Sequence, residues 1–120
     1  CLFGALGSAF ELEEDRMNDI IAYTASSPAY VFYFIKSMID NAEKHGFDRG
    51  FIKYLICDAV IGSAELLRNS ELSEEELIKM VCSPGGTTLA AMNELYEGKM
   101  AETLDRAMDA CTNRAYELSE

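Results

Sequence analysis

Phe51-Ile52-Lys53-Tyr54-Leu55-Ile56-Cys57-Asp58-Ala59-Val60-Ile61-Gly62-Ser63-Ala64-Glu65-Leu66-Leu67 is the stretch on which the fold class turns. Taken alone, Val60-Ile61 suits a strand, because β-branched side chains pack well on extended backbone. Length decides against it. Phe51, Ile52, Leu55, Ile56, Ala59, Val60, Ala64 and Leu67 recur at helical spacing over a run too long for a strand. Asp48 stands where an N-cap is needed, and the helix is expected to reach about Asn69. Gly62 and Ser63 leave room for another helix to come close.

Working outward, both flanks are helical as well. Glu13, Glu14 and Asp15 put acid in a first turn, where the helix dipole favours it, and Met17, Ile20, Ile21 and Thr24 follow one face. Ser27 reads as an N-cap and Pro28 as a first helical residue. The helix from Pro28 to about His45 opens with Tyr30-Val31-Phe32-Tyr33-Phe34-Ile35, apolar on every side, and a helix of that kind is buried all round. Gly46 ends it. Downstream, Ser73-Glu74-Glu75-Glu76 is a capping box that opens a short helix through Leu77, Ile78, Met80 and Val81. Thr88 to Glu97 is helical and closed by Gly98, and the last helix carries Met100, Leu104, Ala107, Met108, Cys111, Ala115 and Leu118 on one stripe. The fold class is all-α. Ahead of it, Leu2, Phe3 and Leu6 show helical spacing over too short a span to stand alone, and Ser8 to Leu12 alternates like a short strand. These opening residues read as the tail of a preceding part of the protein.

Between two of the helices lies Cys82-Ser83-Pro84-Gly85-Gly86-Thr87-Thr88. Pro84 biases its predecessor out of the helical region, and Gly85 and Gly86 remove the Cβ atoms that would keep a ligand from the backbone. Thr87 and Thr88 then open a helix whose first amides lack partners and carry partial positive charge. Amides and hydroxyls gathered at a helix start form a cradle for a carboxylate or phosphate. A tight helix-helix corner with a threonine cap fits the same residues on local chemistry alone.

Composition narrows the function classes. At 120 residues the chain is one domain at most, and 49% of it is hydrophobic. So much apolar surface on a small body points to a partner subunit. A net charge of -11 argues against nucleic acid and against an anionic membrane surface. Cys1, Cys57, Cys82 and Cys111 are scattered with no CxxC pair, which suits a reducing cytoplasm. With the single histidine, His45, beside Gly46 at a helix end, neither an internal metal site nor a histidine-based triad is expected.

In order, these motifs resemble the C-terminal, dimerisation part of the pyrroline-5-carboxylate reductase family. Ser27-Pro28-Ala29-Tyr30-Val31-Phe32 is similar to that family's Pro-Ala-Tyr helix start, and Ala59-Val60-Ile61-Gly62-Ser63-Ala64 to the glycine-containing helix that follows. Val81-Cys82-Ser83-Pro84-Gly85-Gly86-Thr87-Thr88 resembles its most specific signature, and Leu95-Tyr96-Glu97-Gly98 and Ala107 to Leu118 its closing helices. The resemblance implies reduction of 1-pyrroline-5-carboxylate to L-proline with NADPH or NADH, the nucleotide being held by an N-terminal Rossmann domain. No GxGxxG-type unit occurs in these 120 residues. On this reading residues 1–12 are the remnant of the nucleotide-binding domain and its linker. Residues 13–120 are an intertwined helical dimerisation and substrate-binding domain, self-associating at least as a homodimer, and the isolated chain is inactive. The resemblance further implies that Ser83, Gly85, Gly86 and Thr87 hold the substrate carboxylate while Thr88 reaches the ring nitrogen; no catalytic side chain and no metal are assigned.

The departures from the family pattern are local. Where the family writes Ser-Gly-Ser-Gly-Pro-Ala, this chain has Thr24-Ala25-Ser26-Ser27-Pro28-Ala29, and Asn18 and Ile21 replace an aspartate and a threonine. Two glycines have become Ala25 and Ser27. A harmless repacking is one reading of this. A reductase-like paralogue acting as a non-catalytic dimeric scaffold or regulator is the alternative.

Overall fold

A computed structural model describes residues 16–83 and 85–119, and these contain helices and no strand. The elements are α1 (Met17–Ile20), a 3-10 turn at Ile21–Tyr23, α2 (Ser27–Lys44), α3 (Arg49–Asn69), α4 (Glu74–Cys82), α5 (Thr87–Glu97) and α6 (Met100–Ser119). The short helix at Leu2 to Leu6, the strand at Ser8 to Leu12 and the remnant 1–12 lie outside the described residues. The run around Val60-Ile61 is helical, as its length required.

Local signals set most of the helix ends. Asp48 caps α3 by accepting the Phe51 amide at 3.0 Å. Ser73 and Glu76 form the reciprocal capping box of α4, the Glu76 amide reaching Ser73 Oγ at 3.2 Å. At the end of α2, Gly46 takes φ 94°, its amide donates to Glu43 O, and the Phe47 amide donates to Ala42 O at 3.1 Å. That pair of bonds is a Schellman closure, which needs a left-handed residue and so favours glycine. His45 is exposed in the turn before it.

One end differs from the sequence expectation. Ser27 is the first residue of α2 rather than its cap, and its hydroxyl donates back to Thr24 O at 3.1 Å. Gly98 closes α5 as expected, its amide donating to Glu94 O; it sits at φ -75°, and the left-handed residue is Lys99 at φ 59°. Gly98 answers a different need, since a Cβ there would come within 3.1 Å of Glu94 O. A left-handed lysine carries a steric cost that glycine avoids. Lys99→Gly is therefore expected to stabilise the protein by about 1 kcal/mol. A higher urea midpoint at unchanged slope would show it; an unchanged or lower midpoint would show that Lys99 is not strained.

The described residues fall into two units. In the first, formed by residues 16–33 and 99–119, α1 and the 3-10 turn pack on α6, and Ala22 is completely buried. Tyr30 places its hydroxyl beside Cys111 with no hydrogen-bond partner, and burial followed by the neighbouring thiol raises its pKa. Tyr116 Oη donates to Asp19 Oδ1 at 2.5 Å, while Arg16 Nε donates to Asp19 Oδ2 at 2.8 Å. The Tyr116 bond and then Arg16, against some desolvation, hold the Asp19 carboxyl below its ordinary pKa.

In the second unit, Phe34–Gly98, α4 and α5 pack against each other. Ile39 and Ile56 are its buried hydrophobic residues, 5% and 8% exposed. Arg49 at the start of α3 reaches Asp40 at 3.0 Å and Glu43 at 3.1 Å on α2, and Lys36 reaches Asp40 at 2.8 Å. Lys36 first and Arg49 second lower the Asp40 pKa. Such exposed pairs fix the α2–α3 corner more than they stabilise it.

A single chain leaves its most apolar helices uncovered. Phe32 and Tyr33 of α2 are 69% and 73% exposed, and Tyr54 and Ile61 of α3 are 69% and 56% exposed. From Ala59 to Ala64, α3 presents six uncharged residues in a row with none of them buried. The sequence places these helices inside a hydrophobic environment, and the chain by itself does not supply one. Among the described residues, no helix is long and apolar enough to cross a membrane.

Candidate functional site

The candidate anion cradle is built where α4 ends and α5 begins. Ser83 closes α4 in a helical conformation, its amide donating to Lys79 O at 3.0 Å and its hydroxyl to the same oxygen at 2.8 Å. Gly85 and Gly86 follow at φ 76° and 78°. An added Cβ at either glycine would meet nothing within 4 Å, so the space above them is open and their need for glycine is conformational. Gly86 is the N-cap of α5, with no side chain capping the helix.

The first hydrogen bond of α5 runs from the Ala90 amide to Gly86 O at 3.1 Å. The amides of Thr87, Thr88 and Leu89 precede it, at the positive end of the helix dipole. A threonine-capped corner was one reading of these residues. Glycine occupies the cap instead, and neither threonine hydroxyl has a hydrogen-bond partner among the described residues. Gly85, Gly86 and Thr87 are exposed, whereas Thr88 is half-buried. A half-buried hydroxyl with nothing to bond is available to a ligand at little cost.

Of the residues assigned from the sequence, Gly85, Gly86, Thr87 and Thr88 stand together at one helix start. Ser83 is adjacent, but its hydroxyl hydrogen is already used within α4. To donate to a ligand it must rotate and release Lys79 O; as it stands it can only accept.

The departing positions lie in the other unit and are described by themselves. Of these, Asn18 and Ile21 line an open cleft of about 490 Å³ together with Ser26, which keeps the family's serine, and with Cys111, Arg114, Ala115, Leu118 and Ser119. Asn18 Nδ2 donates to Ser119 Oγ at 3.1 Å. Lys99 is the sole non-glycine residue with positive φ among the described residues, so neither Ala25 nor Ser27 occupies a conformation that calls for glycine. Sequence reading missed the Asp19–Tyr116 and Asn18–Ser119 pairs. Partners about a hundred residues apart leave no trace in local periodicity.

The Rossmann framework for a dinucleotide places a glycine-rich turn between a strand and a helix. Among the described residues there is no strand, and Gly85-Gly86 joins two helices, so these residues do not supply that framework.

Comparison with known proteins matches residues 14–118 to the family model described as pyrroline-5-carboxylate reductase dimerisation. The pyrroline-5-carboxylate reductase of Staphylococcus saprophyticus is 31% identical over 118 residues, covering 98% of this chain and 44% of that protein. The Escherichia coli enzyme of the same name is 34% identical over 119 residues, covering 99% of this chain and 44% of that protein. Among solved structures, Plasmodium falciparum pyrroline carboxylate reductase with NADP bound superposes at a TM-score of 0.89 and 29% identity, over 95% of this chain and 46% of that one. The Streptococcus pyogenes 1-pyrroline-5-carboxylate reductase superposes at 0.86 and 32% identity, over 91% and 42%. The chain thus spans less than half the length of these relatives. On the order of its motifs, its helical fold and these matches, the chain belongs to the pyrroline-5-carboxylate reductase dimerisation family.

Proposed function

We propose that this chain is the dimerisation and substrate-binding part of a reductase converting 1-pyrroline-5-carboxylate to L-proline, with residues 13–120 forming that domain and residues 1–12 belonging to a preceding nucleotide-binding part. The observation that carries the reading is the junction of α4 and α5: two left-handed glycines, a helix start with no side-chain cap, and a half-buried Thr88 hydroxyl without a partner. The amides of Gly86 and Thr87, beside Gly85, receive the substrate carboxylate, Thr88 Oγ1 reaches the ring nitrogen, and Ser83 joins by turning its hydroxyl. The imine carbon is already electrophilic, so these residues need only fix its orientation. NADPH or NADH supplies the hydride from a part of the protein outside this chain.

Self-association belongs to the same reading. The uncovered faces of α2 and α3 suit a two-fold partner, and their burial is favoured by roughly 25 cal/mol per Å² of apolar area. Cys57, Cys82 and Cys111 are free thiols, in keeping with residence in a reducing cytoplasm.

The non-catalytic scaffold rests on the altered Thr24–Ser27 segment alone. Neither Ala25 nor Ser27 has a positive φ, so neither stands at a left-handed position that calls for glycine. Steady-state assay of the full-length protein with pyrroline-5-carboxylate and NADPH or NADH separates the two. Saturable, substrate-dependent oxidation with formation of L-proline is the expected result, and a folded dimer that never exceeds the blank would establish the scaffold.

A further inference from the structure

Among the described residues, the lead-in to α2 has little regular helix of its own. α1 spans four residues and the 3-10 turn three, too few to be stable alone, and Arg16 at the N-cap makes no side-chain cap bond. Ala22 is the one buried residue in these two elements. Both elements pack on α6, while among the described residues the cleft beside Ile21 and Leu118 stays open.

Polar side chains do reach it. Tyr116 Oη donates to Asp19 and Asn18 Nδ2 donates to Ser119 Oγ, so two residues one turn apart on α6 meet two adjacent residues of α1. The donor inventory fixes the second tie. With Ser119 Oγ sending its own hydrogen to Tyr116 O at 2.9 Å, Ser119 accepts from position 18, which supplies the donor in this arrangement. Asparagine has one. An ionised aspartate has none, and would set a second carboxylate beside Asp19.

We propose that the last turn of α6 is a strap which, through Tyr116–Asp19 and Ser119–Asn18, holds the 17–27 segment in place, and that Asn18 stands where it does to serve as the donor of that strap. The strap ties to α6 a turn whose other described bonds are local, among them Thr24 Oγ1 to Ile20 O at 3.0 Å and Ser27 Oγ to Thr24 O at 3.1 Å. The Thr24 amide bonds Ile20 O and Ile21 O at 3.2 and 3.3 Å, and the Ser26 amide bonds Ile21 O at 3.0 Å. Those two amides report directly on its closure. The inference rests on side-chain geometry and stands whether or not the reductase reading holds.

Amide hydrogen exchange on the full-length protein tests it. Tyr116→Phe and Asn18→Asp are each expected to speed exchange at Thr24 and Ser26 by roughly five- to tenfold while the α3 amides keep their parent rates. Asn18→Asp with Ser119→Asn returns a donor from the opposite side and is expected to recover most of the protection. Unchanged exchange in both single variants would overturn the strap. So would a uniform increase that includes α3, because the residues would then be sources of general stability, and so would a double variant no better protected than Asn18→Asp.

Discussion

Ile61→Glu in the full-length protein is expected to weaken self-association by at least 100-fold while leaving each subunit folded. Ile61 is 56% exposed in the single chain and lies within the uncharged Ala59–Ala64 run of α3. Glutamate is at least as good a helix former as isoleucine, so the isolated helix loses nothing by the change. In a two-fold interface the substitution enters twice, and a buried carboxylate without a partner is opposed by about 3–5 kcal/mol. Each ~1.4 kcal/mol is a factor of ten in the dissociation constant. Sedimentation velocity at micromolar concentration, with circular dichroism alongside, reads both effects. A parent protein already monomeric, or a variant as dimeric as the parent, would show that this face of α3 is not the interface.

Thr88→Ala should lower kcat/KM roughly tenfold or more without lowering Tm or dissociating the dimer. The structure separates the two effects cleanly. Thr88 Oγ1 bonds nothing among the described residues, and Gly86 rather than a threonine caps α5, so the hydroxyl is not needed for the fold. Alanine is the best helix former, which leaves no reason for Tm to fall. A catalytic loss at unchanged Tm is the signature of a ligand contact. Activity at the parent level would make Thr88 a bystander, and a joint fall of activity and stability would make it part of the corner.

How much of this was legible from residues depends on the range of the interaction. Asp48, Ser73 with Glu76, and Gly46 announced their helix ends correctly, because capping joins groups within four residues of each other. Gly98 announced the end of α5 correctly, but not its conformation: it relieves crowding against Glu94 O while Lys99 takes the left-handed turn. The Cys82–Thr88 stretch was legible from residue types as a glycine turn that opens a new helix, and that turn is present. What it did not reveal is that Ser83 Oγ folds back on Lys79 O, since hydroxyl direction is set by competition among nearby carbonyls. The all-apolar start of α2 was legible as a surface that a chain this small leaves uncovered, because helical spacing names the apolar faces and composition shows how little there is to cover them.

The cradle is the centre of the account, and amide chemical shifts test it most directly. Titration of the full-length protein with L-proline, followed by 15N–1H correlation spectra, should move the amides of Gly86, Thr87 and Thr88 saturably. Pyrrolidine, which has the ring nitrogen but no carboxylate, should leave them in place. Saturable shifts confined to other residues, with these three amides still, would contradict the assignment of the carboxylate to the start of α5.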